Sequence, residues 1–241
     1  MTKSDVIVLI TGANRGIGHA FVEAYLAHGA KKIYAAARRR ADLDKVVALD
    51  PTRVHPVVLD VTKPEEIKAV ATTVSDINVL INNAGALSFG GLSDISDESL
   101  RRDMEVNYFG LIHVTQAMAP LIERNGGGAI ANLLSVVSLA SMPGIGAYNA
   151  SKAAAWSATQ SFRVDLAKKG IRVFGVFPGP IDTDMAKDLP MDKTPPLHVA
   201  NEVIAGIEAG AEDIFPDPMS KQVYAAWSKD HKAVEKQFGS M

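Results

Sequence analysis

The stretch VIVLITGANRGIGHAF, Val6 to Phe21, runs from a β-branched apolar segment through a glycine-rich turn into a helical pattern. Its glycines, Gly12, Gly16 and Gly18, are spaced G-x-x-x-G-x-G. A backbone without side chains at such positions can lie close to a pyrophosphate, and the first turn of the following helix offers free N–H groups and the positive end of its dipole. Gly12, Asn14, Arg15, Gly16, Ile17 and Gly18 are therefore a candidate phosphate cradle. The spacing is not the G-x-G-x-x-G of larger dinucleotide-binding domains, and it is not a Walker loop, since no Gly-Lys-Ser/Thr follows. The bland alternative is a glycine turn that only folds a strand onto a helix. Alone, the motif supports a nucleotide binder and nothing narrower.

Outward from this stretch, short β-branched runs alternate with helical patterns. Val6–Ile10, Lys32–Ala37, Val54–Leu59, Val79–Asn82, Ala129–Leu134, Arg172–Phe177 and Ile214–Phe215 read as strands. Between them, Ile17–Leu26, Glu65–Val74, Leu100–Arg124 and Tyr148–Lys168 carry apolar residues at helical spacing. Gly29 and Gly170 mark helix ends, and Thr62 with Pro64 and Glu65 opens a helix. Strict alternation implies βαβ units, so the expected fold is α/β: a Rossmann-type doubly wound parallel sheet with helices on both faces, one domain over residues 1–241. Ligands of such sheets collect at the carboxyl ends of the strands, so the loops after Ile10, Ala37, Leu59, Asn82, Leu134 and Phe177 are where a site belongs.

Composition narrows the partner. The chain has 241 residues, 47% hydrophobic and 22% charged, which is ordinary for a globular domain. A formal charge of −2 gives no footprint for nucleic acid, and the run Arg38-Arg39-Arg40 is too short to be a binding stripe. No cysteine is present, which removes disulfides, thiolate metal sites and cysteine nucleophiles. The apolar run Val6–Ile10 is too short for a signal segment or a membrane span, so a cytoplasmic protein with a small-molecule substrate is expected. Six histidines are scattered without metal-ligand spacing, and no metal site is expected. Asp182 and Asp184 beside Thr183 read as helix capping rather than as a Mg²⁺ site.

The end of the second strand chooses the cofactor. An acid there would accept hydrogen bonds from a free ribose 2′-hydroxyl, but the sequence is YAAARRR, with no acid at Ala36, Ala37 or Arg38. Arg38 can reach a 2′-phosphate, and Arg15 adds a second cation, so NADP(H) is favoured over NAD(H). Arg39 and Arg40 also fit a solvated helix entry with Asp42 and Asp44 as partners.

Farther along, AYNASKAA places Tyr148 and Lys152 four residues apart, on one face of a helix. A free phenol is a poor acid near neutrality, and a neighbouring ammonium is expected to bring its pKa toward the working range.

Together, TGANRGIG, LINNAG, MEVNYFG, NLLS, YNASK and PGPIDTDM resemble the short-chain dehydrogenase/reductase family, in order and separation, from Val6 to about Met185. The resemblance implies a nicotinamide-dependent oxidoreductase acting on a carbonyl or alcohol. It implies Tyr148 as general acid/base and Lys152 as the group that tunes it and holds the nicotinamide ribose. Ser135 would bind the substrate oxygen, and Asn107 would hold a water of a proton relay. Ser138 is the fallback for Ser135, and Ser141 is read as a loop residue. For the cofactor, the resemblance implies Asp60 and Val61 at adenine, Asn83, Ala84 and Gly85 beside adenosine, and Pro178, Gly179, Ile181 and Thr183 around the nicotinamide and pyrophosphate.

Substrate specificity should lie in loops whose residues, Leu87, Phe89, Val137, Leu139, Met142, Ile145, Met185, Leu189 and Met191, are mostly apolar. A medium-sized hydrophobic ketone, aldehyde or secondary alcohol is expected, though Lys187 or Lys193 could meet an anionic group. Leu111–Arg124 and Tyr148–Lys168 leave an alanine-rich face, with Ala153, Ala154, Ala155 and Ala158, suited to a homodimer or homotetramer. The alternative is a face covered by the chain's own tail, Lys221–Phe238. Two competing functions stay open: a regulator that senses NADP(H) without turnover, and a sugar-nucleotide epimerase or dehydratase, for which the chain lacks an added substrate domain.

Overall fold

The computed structural model describes residues 5–187 and 191–241. Seven strands form one sheet: β1 (Ile7–Thr11), β2 (Lys32–Ala37), β3 (Val54–Val58), β4 (Val79–Asn82), β5 (Gly128–Leu133), β6 (Ile171–Val176) and β7 (Asp213–Ile214). Their order is β3-β2-β1-β4-β5-β6-β7, and all the pairings are parallel. The helices are α1 (Gly16–Ala27), α2 (Asp44–Val47), α3 (Pro64–Thr73), α4 (Asp97–Met104), α5 (Leu111–Arg124), α6 (Gly146–Ala167), α7 (Pro196–Ala209), α8 (Pro218–Trp227) and α9 (His231–Gly239). The expected α/β fold is the observed one. No helix among the described residues is long and apolar enough to cross a membrane.

Both faces of the sheet are buried, which is why its strands read as unbroken apolar runs. In β1, Val8 and Ile10 join a core with Phe21 of α1 and Val203 of α7, while Leu9 points into a second core with Val70 of α3 and Met118 of α5. The chain crosses from the β3 edge to β4, so β1 and β4 diverge at a switch point where their two loops meet.

Three differences from the sequence reading concern the site. Leu100–Arg124 is not one regular helix, because a wide π turn, Glu105–Gly110, separates α4 from α5. Thr62 does not cap α3: Lys63 holds the cap position and Pro64 the first turn, while Thr62 bonds to Asp60. The segment after Pro196 supplies α7, and the tail folds into α8 and α9.

A polar thread through the core fixes α5 and α6 on the sheet. The Asn82 amide donates to Thr115 Oγ1 at 2.9 Å and Asn132 Oδ1 at 2.8 Å, and the Asn132 amide donates to Thr159 Oγ1 at 3.0 Å. All four residues are buried, so leaving one of these groups without its partner would cost about 1–3 kcal/mol. The thread sets the angle at which α6 brings Tyr148 to the ends of the strands.

Candidate active site

At the switch point the glycines shape a cradle that side chains would fill. A Cβ on Gly18 would stand 2.1 Å from the Gly12 carbonyl oxygen, and Gly12, at φ 66°, has backbone that other residues rarely adopt. Arg15 occupies the N-cap of α1 without a side-chain cap, and no acid lies in the first turn, so its leading N–H groups face an anion site unopposed. Asn14 and Ile17 sit half-buried on the rim. Thr183 closes the far side, so that a Cβ on Gly16 would meet its Cγ2 at 3.1 Å. These residues fit a dinucleotide pyrophosphate.

The neighbouring loop is tied in by a residue the sequence reading passed over. Thr11 Oγ1 accepts from the backbone N–H groups of Asn83 and Ala84, both at 3.0 Å, and donates to the Ile81 carbonyl at 3.3 Å. The Asn83 amide reaches back to the carbonyls of Thr11 at 2.8 Å and Gly12 at 3.1 Å. Asn83, Ala84 and Gly85 thus form one wall with the glycine loop.

After β2, the three arginines diverge. Arg39 pairs with Asp42 and Arg40 with Asp44, both at 2.6 Å, as a solvated helix entry would have it. Arg38 is exposed and hydrogen-bonds no carboxylate among the described residues. The Asp42 carboxyl is held below its ordinary range first by the Arg39 hydrogen bond, with Arg38 and Arg15 contributing from farther off, so the two candidate cations share one neighbourhood. Arg15 itself pairs with Asp184 at 3.1 Å. Asp184 is therefore an ion-pair partner rather than the helix cap expected of it, and no side-chain cap is made at Thr183. Asp60 accepts from the Thr62 N–H at 3.0 Å and its hydroxyl at 2.8 Å, and Val61 packs so closely on the π turn that a Cβ on Gly110 would overlap it.

Ser135, Tyr148, Lys152 and Asn107 converge above the ends of β4 and β5. The Ser135 hydroxyl is near enough to the Tyr148 phenol to favour its ionised form. The two serines form a capping box: Ser135, at the N-cap, accepts the Val137 N–H on its hydroxyl at 3.3 Å, and the Ser138 hydroxyl accepts the backbone N–H of Ser135 at 3.3 Å. Lys152 Nζ lies 5.6 Å from the Tyr148 ring centre and donates to the Leu133 carbonyl at 2.6 Å. Asn107, on the π turn, accepts from Ala86 N–H at 2.8 Å and donates to the Ala86 carbonyl and to Ser151 Oγ, also at 2.8 Å.

Burial acts on the two groups in opposite directions. Burial pushes the Tyr148 phenol up to about 12, against a lowering by the Ser135 hydroxyl and with the Asp103 carboxylate raising it further. Burial brings the Lys152 ammonium down to about 8, and Asp103 opposes that. Burial, Ser135 and Asp103 are the influences that act on the phenol. Lys152 is buried and Tyr148 half-buried, and the ammonium is turned to the Leu133 carbonyl.

Pro178 and Gly179 complete the floor. The Pro178 carbonyl accepts from Ser135 Oγ at 3.4 Å and Val136 N–H at 3.1 Å, and the Gly179 N–H donates to the buried Asp217 carboxylate at 2.9 Å. Asp217 also caps α8 and was not singled out from sequence. Ile181 is buried in the core under α1 and α7.

Of the apolar loop residues, Val137, Leu139, Met142 and Ile145 cluster with Tyr148, joined unexpectedly by Met219, Trp227 and Phe238 of the tail. Phe89 and Met185 are exposed, and Leu189 lies outside the described residues. Lys193 Nζ is held by the Lys187 carbonyl at 2.9 Å. On α6, Ala155 is buried with Leu134 and Phe177 and so does not belong to a free face, whereas Ala153 is exposed.

A doubly wound parallel sheet with a glycine cradle at its switch point is the architecture of a dinucleotide-binding enzyme. Comparison with known proteins narrows the class. The short chain dehydrogenase family matches residues 6–194. A probable galactose dehydrogenase of Rhizobium meliloti is 34% identical over 76% of this chain and 74% of its own. The 3-oxoacyl-[acyl-carrier-protein] reductase of Thermotoga maritima is 37% identical over 79% and 80%. A short chain dehydrogenase from Burkholderia cenocepacia in complex with NADP superposes with a TM-score of 0.93, at 36% identity and 99% coverage of both chains. One from Burkholderia phymatum in complex with NAD gives 0.86 at 25% identity, covering 100% of this chain and 98% of its own. The chain belongs to the short-chain dehydrogenase family of oxidoreductases.

Proposed function

We propose that the protein is an NADP(H)-dependent oxidoreductase that interconverts a medium-sized hydrophobic ketone or aldehyde and the corresponding alcohol. The observation that carries this reading is the meeting of Ser135, Tyr148 and Lys152 above the glycine cradle. When bound, a reduced nicotinamide supplies the hydride, with its two electrons, for a carbonyl carbon. Tyr148 gives its phenolic proton to the carbonyl oxygen, and Ser135 donates a hydrogen bond to that oxygen as it gains charge. Lys152 balances the phenolate that results, and the second lone pair of Asn107 Oδ1 holds the water through which Lys152 is reprotonated. With Gly85 between them, no side chain separates Asn107 from Lys152: a Cβ there would lie 3.3 Å from Asn107 Oδ1 and 3.8 Å from Lys152 Nζ.

Arg38, which hydrogen-bonds no carboxylate among the described residues while Arg39 and Arg40 are paired, is the group that selects the 2′-phosphate. The apolar wall of Val137, Leu139, Met142, Ile145 and the tail favours a hydrophobic substrate. The exposed flank of α6 at Ala153, with exposed Phe109 and Val164, supports a homodimer or homotetramer. The tail packs on α6 at Tyr148 and at Trp156, which Trp227 meets at 5.9 Å. A cytoplasmic location accords with a chain without cysteine.

The test is a panel of ketones, aldehydes and alcohols, followed by cofactor absorbance with NADPH and NADH in parallel. Turnover with hydrophobic carbonyls and NADPH is the expected result. Tight NADPH binding with no turnover across the panel would make the chain a sensor instead.

A further inference from the structure

The loop after β4 is clamped at every second residue. Ala86 is held on both backbone groups by the Asn107 amide, at 2.8 Å each. Two residues on, Ser88 donates its N–H to Asp103 Oδ2 at 3.0 Å and its hydroxyl to Asp103 Oδ1 at 2.9 Å. Two further on, Gly90 donates to the Gly144 carbonyl at 2.7 Å and accepts from the Gly146 N–H at 3.1 Å, at the start of the helix that carries Tyr148. Asp103 and Asn107 stand four residues apart, across the junction of α4 and the π turn, and hold consecutive links of one wall.

Asp103 is an odd clamp. Its carboxylate is fully buried, and among the described residues no arginine, lysine or histidine bonds to it. A buried anion with only neutral hydrogen-bond donors is costly unless a cation elsewhere balances it. On its own helix and the π turn, Arg101, Arg102 and Glu105 are exposed, with Arg101 bonded to Asp97, and Tyr108 is half-buried. Helix α6, which carries Lys152 and Tyr148, packs against α4, and the Asp103 charge acts on both groups. Among the described residues the buried lysine or arginine is Lys152, on the helix that packs against the one bearing Asp103.

We propose that Asp103 is a positioning residue of the proton-transfer site: the buried anion that balances the Lys152 ammonium and, through Ser88, fixes the wall beside it. A serine amide or a water would serve as a mere clamp for Ser88, whereas only a charge helps to keep a desolvated ammonium protonated. The proposal rests on the reading of Tyr148 and Lys152 as the proton-transfer pair.

The experiment follows Lys152 itself, by nitrogen-15 NMR of lysine-labelled protein across pH, with Lys152→Met to assign the signal, alongside the pH profile of kcat. In Asp103→Asn the ammonium should titrate lower than in the parent protein, by about half a pH unit or more. The limb of the kcat profile set by Lys152 should move the same way. Asp103→Glu should restore the parent titration, and Ser88→Ala, which loosens the wall but keeps the charge, should leave it in place. Asp103→Leu serves as a second neutral variant if the asparagine form folds poorly. An unchanged Lys152 titration in a folded neutral variant, or an equal shift in Ser88→Ala, overturns the proposal. Because the NMR titration needs no substrate, a shifted lysine without turnover would sink the catalytic reading and leave the charge pairing standing.

Discussion

The Lys152 ammonium lies 5.6 Å from the centre of the Tyr148 ring, yet its short hydrogen bond runs to the Leu133 carbonyl on β5. The sheet holds the lysine by its tip while α6 presents the tyrosine one turn earlier. Tyr148→Phe keeps the ring and its packing and removes the proton donor. Turnover should fall by about 10²-fold or more, with NADPH affinity unchanged. Steady-state kinetics and a fluorescence titration of NADPH check both halves, and normal turnover in this variant takes Tyr148 out of the acid–base role.

Burial of Lys152 also predicts an unusual pH dependence of stability. The folded protein releases this proton near pH 8, whereas an unfolded lysine keeps it until about 10.5. Across that window the unfolded chain binds more protons, so stability rises with pH, by an amount on the order of 3 kcal/mol for a shift of this size. Tyr148 acts oppositely at higher pH: its folded pKa is about 12, the unfolded phenol ionises near 10, and the stability it contributes is lost as pH rises above that. Urea midpoints at about pH 7 and about pH 9.5 should therefore rise in the parent protein and stay level in Lys152→Met. An equal rise in both would place the buried proton elsewhere.

Ser135 and Ser138 divide two tasks that sequence leaves shared between them. Ser138 Oγ accepts the Ser135 N–H at 3.3 Å, whereas Ser135, whose hydroxyl accepts the Val137 N–H at 3.3 Å and donates to the Pro178 carbonyl at 3.4 Å, is the serine that also acts on the Tyr148 phenol. Ser135→Ala should lower kcat about 100-fold and, because the Ser135 hydroxyl is the other half of the capping box, cost about 1 kcal/mol of stability as well. Ser138→Ala should cost about 1 kcal/mol through the lost cap and keep turnover within a few-fold. Reversed outcomes would make Ser138 the substrate-facing serine.

What sequence shows and what it hides follow from where each residue gets its role. The strands were legible because both sheet faces are buried, and Val8, Leu9 and Ile10 are apolar in either direction. Gly18 was legible because its backbone contact with Gly12 excludes any side chain. Asp103 was not, since among Arg101, Arg102 and Glu105 it looks like another surface charge, and only the packing of α4 on the loop after β4 buries it. The π turn leaves the apolar spacing of Leu100–Arg124 almost intact, so periodicity reads through it as one helix. Helix α7 did carry a signal that went unused: Pro196 in its first turn, then Val199, Val203 and Ile207 on one buried face. The proton affinities of Tyr148 and Lys152 depend on burial and on Asp103, and neither is visible in a four-residue spacing.

The proposed preference for NADP(H) rests on Arg38. Arg39 and Arg40 are committed to Asp42 and Asp44, and Arg15 is tied to Asp184, which leaves Arg38 as the cation at the end of β2 without a bonded carboxylate among the described residues. A 2′-phosphate would find its fork unopposed, whereas a bare ribose gains little from it. Arg38→Asp both removes the cation and supplies an acceptor for a ribose 2′-hydroxyl. The ratio of kcat/KM for NADPH over NADH should fall by about 100-fold or more, mostly through KM for NADPH. Arg39→Ala should change the ratio little, because it only frees Asp42 at the surface. An unchanged ratio in Arg38→Asp would move 2′-phosphate recognition to Arg15, and the double variant with Arg15→Ala would then carry the loss.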